Sequence, residues 1–258
     1  MRKEEYIIPS KILSKDMKVI VYGHSGMNFL FFPITDDDPY EYEKIKLIDS
    51  LEPLITKGKI KIFSIETNNL DSWLNQSIPP KERSDQHYLF NTYLTNELVN
   101  FIYSDNGSPV PIITVGVGIG AFHAVNTYLR RPDMFTGTIG VNGFYDIQWL
   151  SGTYYDENCY FNSPLHYLPN LTDDYWLSFL QSQRHITLGA QEGNWDMVNQ
   201  ANRLAEILSY KNIRYEIKII DCSDVKDENI NKVMLEKILL VLTFPGNGIR
   251  YIWVSLRQ

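Results

Sequence analysis

The chain has 258 residues, 44% hydrophobic and 21% charged, enough for one sizeable core, and no Pro/Gly/Ser-rich linker or repeat divides it. A formal net charge of −7 argues against nucleic acid as the main partner, because affinity for phosphate backbones comes largely from Lys and Arg. Two cysteines, Cys159 and Cys222, are too few for a disulfide framework. Met1 to Ser10 is charged without the apolar stretch of a signal peptide, and the apolar runs fall far short of the roughly 18 residues of a membrane span. The expectation is a cytoplasmic protein with no membrane or nucleic-acid partner.

In chain order, apolar and β-branched runs recur at Met17 to Gly23, Phe29 to Thr35, Ile60 to Thr67, Pro111 to Val117, Gly137 to Val141, His185 to Gly189 and Ile213 to Ile220. Near-continuous apolar runs suit strands covered on both faces. Between them, Phe90, Tyr93, Leu94, Leu98 and Phe101 fall at helical spacing, as do Phe122, Val125 and Leu129, and Met197, Ala201, Leu204 and Leu208. Strands alternating with helices predict a mostly parallel, doubly wound sheet in a three-layer α/β/α sandwich. Tyr6 to Lys18 leaves no room for a crossover helix, so two antiparallel strands lead in.

Residues 145–183, rich in Tyr, Trp, Asn, Asp and Pro, break the alternation and read as an irregular cap over the carboxyl ends of the strands, where open α/β sheets place their ligand crevice. Tyr154, Tyr155, Tyr160 and Tyr167 either line that crevice or pack the cap onto the sheet. The main domain spans 1–239. Residues 240–258 form a C-terminal extension in which "PGNG" between two apolar runs signals a hairpin, packing on this chain or on a partner.

The informative stretch is "TVGVGIGAFHAVNTYLRRPDMF", an apolar strand, a glycine-punctuated turn and a helix. Gly116, Gly118 and Gly120 fit the G-x-S-x-G nucleophile elbow at both outer positions, with Gly118 where the attacking hydroxyl belongs. Rossmann spacing is absent, and no Walker lysine follows.

With its flanking strand, the small residues Gly120 and Ala121 and the "RRPDMF" ending, the stretch resembles the esterase D-like branch of the α/β-hydrolases, and the resemblance runs from about Tyr6 to Leu239. "VYGHSGMNFLFFP" is similar to that family's strand pair and oxyanion-side loop, "YFNSPLHYLPNL" to its cap and "QEGNWDMVNQANRLAEIL" to its acid loop and following helix. The resemblance implies a serine hydrolase with chain order Ser, acid, His and an oxyanion hole of backbone N–H groups. It puts the nucleophile slot at Gly118, the acid slot at Asp196, the histidine slot at Lys226 and the oxyanion donors at Ile119 and at Ile34 or Thr35.

Asp196 is either the family's acid or a carboxylate favoured by a helix start. No histidine follows His185, so no shift of the alignment restores a base in the required order. Among the five histidines, His24 and His123 are expected to be structural and His87 a helix-surface residue. "TDDDP" at Thr35 to Pro39 reads as a solvated turn, with calcium the lesser alternative, and neither metal nor cofactor is expected.

The sequence therefore predicts a non-catalytic, esterase-like protein that binds a small ester, acid or sugar-like molecule, or a protein partner or second copy. The alternative is a working ester hydrolase with a rearranged site, for instance Lys226 as base with Ser25 or a cap hydroxyl attacking.

Overall fold

The computed structural model describes residues 1–182, 184–226 and 229–243. The hairpin expected within 240–258 lies outside the described residues. Eight strands form one sheet, β1 (Lys3–Ser10), β2 (Lys15–Tyr22), β3 (Met27–Phe31), β4 (Ile60–Ile65), β5 (Ile112–Val117), β6 (Gly137–Val141), β7 (His185–Gln191) and β8 (Glu216–Ile220). Their order is β1-β2-β4-β3-β5-β6-β7-β8, and β2 runs antiparallel to both β1 and β4 while the other pairs are parallel.

The strands follow the sequence reading in number and order, with β3, β4 and β8 shorter than the apolar runs that signal them: β4 ends at Ile65 rather than Thr67 and β8 begins at Glu216 rather than Ile213. β3 stops at Phe31 rather than Thr35, because Pro33 has no N–H to give to the ladder. Phe32 still donates to the Val115 carbonyl at 2.9 Å before the chain turns away.

Period-2 alternation splits each strand between two cores. Val19, Val21 and Leu30 face one, which is covered by α3 (Pro80–Tyr93), α4 (Val99–Asn106), α5 (Ile119–Arg130) and α10 (Trp195–Tyr210). Ile20, Tyr22, Phe29 and Phe31 face the other, which is covered by α2 (Leu47–Thr56) and α11 (Ile230–Thr243). The predicted three-layer sandwich is the observed one. A short helix, α1 (Glu41–Lys44), precedes α2, and a π-helical turn, Leu94–Leu98, joins α3 to α4.

The cap consists of α6 (Gln148–Ser151), α7 (Glu157–Phe161), α8 (Pro164–Tyr167) and α9 (Asp174–Gln181). Asp156 starts α7 by accepting the Cys159 N–H, and Asp173 starts α9 by accepting that of Tyr175. Tyr154, Tyr160 and Tyr167 pack against the body and are hydrogen-bonded to Asp156, Asn170 and Asn126, whereas Tyr155 remains 42% exposed.

Candidate functional site

Gly118 sits between β5 and α5 with φ 60° and ψ −121°, a backbone region that side chains with a Cβ rarely enter. Its N–H donates to Val141 at 2.9 Å, and its carbonyl accepts from Ala121 and Phe122, which sets the sharp strand-to-helix turn. The glycines on either side are dictated by close approach. A Cβ on Gly116 would lie 2.1 Å from the Gly120 backbone, and one on Gly120 would lie 2.3 Å from the Pro33 carbonyl.

The Ile119 N–H stands in the first turn of α5, where no intrahelical acceptor reaches it, and no other acceptor for it occurs among the described residues. On the facing loop the N–H groups already have an acceptor. The Glu41 carboxylate, from the first position of α1, accepts the N–H of Ile34, that of Thr35 at 3.2 Å and that of Asp36 at 3.5 Å, as well as the Thr35 hydroxyl. Nothing in the sequence singled Glu41 out. The N–H groups of Ile34 and Thr35, which the resemblance put forward as oxyanion donors, are thus held by the protein's own carboxylate.

Among the described residues the other two slots carry no assembled machinery. Asp196 is exposed in the first turn of α10, whose cap is the Asn194 side chain accepting from Met197 at 3.4 Å. Lys226 is exposed beyond β8. Ser25 precedes β3, at the amino side of the parallel strands, whereas Gly118 follows β5 at the carboxyl side. The six residues of β5 alone separate those ends by about 17 Å, so Ser25 and Lys226 do not form the pair considered from the sequence.

No family model matches the chain, and no curated protein sequence does. Solved structures do. A ferulic acid esterase matches with a TM-score of 0.67 and 13% identity over 94% of this chain and 97% of that one. An S-formylglutathione hydrolase from Agrobacterium tumefaciens gives 0.64 and 12% over 93% of each chain. A hyperthermophilic esterase from the archaeon Pyrobaculum calidifontis gives 0.60 and 10% over 93% and 84%. The chain has the α/β-hydrolase fold.

Within this hydrolase fold His87 and His123 do structural work in the core, and two histidines, His87 and His24, depart from expectation. His87 is 1% exposed, not a surface residue. Its Nδ1 accepts from Trp73 Nε1 at 2.7 Å, which leaves the proton on Nε2, and its ring meets those of Phe122 and His123. Burial holds it well below the ordinary imidazole pKa, and the proximity of His123 and Arg130 adds to this. His123 donates from Nε2 to Asn69 at 2.8 Å, stacks on Phe32 and is pushed down to about 3 by burial. His24, expected to be structural, lies exposed in the β2–β3 turn with no hydrogen bond among the described residues.

The acidic run is a structural turn. Asp37 accepts from the Thr67 hydroxyl and the N–H groups of Asn69 and Leu70, and Asp38 pairs with Lys44. No group of three or more His, Cys, Asp or Glu suited to a metal occurs among the described residues.

The cap brings together three groups that the sequence analysis did not connect. His166 Nδ1 lies 2.7 Å from the Tyr155 hydroxyl, and its Nε2 lies 3.3 Å from Asp146 Oδ2. This is a phenol–imidazole–carboxylate relay at the carboxyl end of β6, beside an open recess of about 310 Å³ lined by Asp146, Trp149, Gln200 and Arg203. Gln200 fixes its base by accepting the Tyr145 N–H at 2.9 Å. Desolvation and then the Asp146 charge push the Tyr155 phenol up to about 12, so it stays protonated at neutral pH.

Proposed function

We propose that this protein acts by binding, as a hydrolase-fold chain that does not turn over esters at its elbow. Its ligand is a small acid, ester or sugar-like molecule, or a protein partner, held over the carboxyl ends of the strands. The observation that carries this reading is Glu41. Its carboxylate occupies the N–H groups of Ile34 and Thr35, opposite an elbow whose Gly118 has no hydroxyl. Acyl transfer at this position needs a nucleophile, a base and free oxyanion donors, and here no hydroxyl stands at residue 118, no histidine follows His185 and the donors of Ile34 and Thr35 are engaged, leaving only the Ile119 N–H free among the described residues. The buried, unpaired thiols of Cys159 and Cys222 fit a reducing cytoplasm.

A second reading rests on the Tyr155–His166–Asp146 relay. The phenol oxygen attacks an ester carbonyl and passes its proton to His166 Nδ1, while Asp146 steadies the imidazolium from Nε2. The alcohol leaves with that proton, and water then cleaves the acyl-tyrosine to free acid and phenol. Esterase and hydrolase names among the similar structures favour this reading. A phenol pKa of about 12 weighs against it, because the nucleophile is then poorly ionised.

One experiment separates the two. The protein is incubated with a fluorophosphonate probe and with p-nitrophenyl acetate, beside Tyr155→Phe and His166→Gln variants. The binding reading expects no stoichiometric labelling and hydrolysis at the buffer rate. Turnover that both substitutions abolish would establish the relay instead.

A further inference from the structure

At the far end of α5 from the elbow, a recess of about 170 Å³ opens between α3, the π-helical turn and the end of α5. Its walls include Asn91, Thr95, Thr127, Arg130 and Arg131. The twelve residues of α5 put it about 17 Å from Gly118, so it is separate from the elbow and independent of the function proposed there.

The two arginines differ in one respect. Arg131 is neutralised by Asp133 through a bidentate pair at 2.9 and 2.7 Å. Arg130 meets no carboxylate among the described residues, and its Nη1 donates to Asn162 Oδ1 at 3.3 Å. That oxygen also accepts the amides of Asn91 at 2.9 Å and Asn126 at 2.7 Å. Asn126 is fixed in turn by the Tyr167 hydroxyl at 3.2 Å. Asn126 and Asn162 are each 2% exposed, so the guanidinium stands on a rigid, buried amide platform.

A half-buried cation without a counter-ion is costly, and burial accordingly lowers the Arg130 pKa. The carbonyl end of α5 supplies about half a negative charge, which leaves part of the guanidinium charge unanswered. This positive recess lies in a chain of formal net charge −7. Arginine's planar fork matches phosphate oxygens bidentately, and the Thr95 and Thr127 hydroxyls on the walls add neutral polar groups. At about 170 Å³, and open to solvent on one side, the recess has room for one phosphate group with a stem that leads outward. A π-helical turn in the wall is also a frequent mark of functional sites.

We propose that the recess formed by Arg130, Thr95 and Thr127 on the Asn91–Asn126–Asn162 platform is a binding site for a phosphate-type oxyanion, either free or as the head of a small phosphorylated molecule.

The probe is inorganic phosphate, titrated at constant ionic strength against sodium chloride, with melting temperature and ³¹P line width as readouts. Glycerol phosphate serves as the second arm. Phosphate should raise the melting temperature and broaden the ³¹P line of the wild type, and Arg130→Gln should weaken binding at least tenfold. Thr127→Val should weaken it several-fold, and it serves as the variant if Arg130→Gln does not fold. Tighter binding of glycerol phosphate than of phosphate would assign a phosphorylated small molecule, and the reverse order free phosphate. A phosphate response no larger than that of chloride, or one equal in the folded variants, would overturn the proposal.

Discussion

Replacing Gly118 tests how the elbow is held. At φ 60° and ψ −121°, a residue with a Cβ carries strain of about 1–3 kcal/mol. The new Cβ would also lie 3.2 Å from the Ile34 carbonyl, closer than ordinary van der Waals contact. Ile34 is poorly placed to retreat, since Glu41 holds its N–H and that of Thr35. Removing glycine stiffens the unfolded chain and returns about 0.4–1 kcal/mol. Gly118→Ala and Gly118→Ser should each cost about 1–2 kcal/mol, or about 2–8 °C in melting temperature at 2–4 °C per kcal/mol. Gly152 supplies an internal control, because it has nearly the same dihedrals, φ 61° and ψ −121°, with no atom within 4 Å of its would-be Cβ. Gly152→Ala therefore reports backbone strain alone, and Gly118→Ala should exceed it. Thermal melts of the three variants decide the matter. A Gly118→Ser protein that melts as high as the parent refutes the strain argument, and one no worse than Gly152→Ala refutes the contact with Ile34. Gly118→Ser should also fail to cleave p-nitrophenyl acetate, since no histidine follows His185 and Lys226 is exposed beyond β8.

Further outcomes follow from the buried histidines, Glu41 and the thiols. His87, His123 and His185 have folded-state pKa values below the unfolded value near 6.5, with His123 at about 3 and His185 at about 4. Between pH 6.5 and those values the unfolded chain binds protons that the native state refuses, so stability falls as pH falls. From pH 7.5 to 5.5 each costs roughly 1 kcal/mol, and the three together a few kcal/mol, measurable by urea titration; a flat profile over that range would contradict the burial. Glu41→Ala should destabilise by about 1–3 kcal/mol because it strips the loop N–H groups of their acceptor, with Glu41→Gln in between, and unchanged melting of both would show that the carboxylate does not hold the loop. Cys159, pushed up to about 11 by burial, and Cys222 should resist a thiol reagent at pH 7.5 under native conditions and react promptly in denaturant.

The sheet was legible because its strands are buried on both faces and so appear as unbroken apolar runs. The elbow was legible because close packing forces Gly116 and Gly120. His87 was misread although a signal existed. It precedes Phe90 by three and Leu94 by seven residues, which places it on the stripe that α3 turns to the core. Glu41 left no such trace. It is one acid among several in "TDDDPYEYE", and the loop's path back across α1 makes it, rather than Asp36 or Asp37, the acceptor for Ile34. The Tyr155–His166–Asp146 relay was equally hidden, since its members lie on irregular cap segments with no periodicity to bring them into register.

The elbow persists without its nucleophile for reasons of packing. Gly116 and Gly120 bring α5 against β5 and against the loop after β3, and the Gly118 N–H closes the turn onto β6. None of these contacts involves a side chain at residue 118, so a hydroxyl there can disappear without disturbing the frame, and glycine suits the dihedrals better than serine does. The loop after β3 is different, because its N–H groups need an acceptor. Water serves that role in an open site, and here Glu41 does. A carboxylate bound to these donors opposes the approach of a substrate carbonyl and repels the oxyanion that would form there. On the binding reading proposed above, hydrolysis at this elbow would require at least three coordinated changes, a hydroxyl at residue 118, a base within its reach and removal of Glu41 from the loop. A single reversion meets one of these conditions and adds strain, which is why the elbow's geometry reports the fold and the side chains around it report the chemistry.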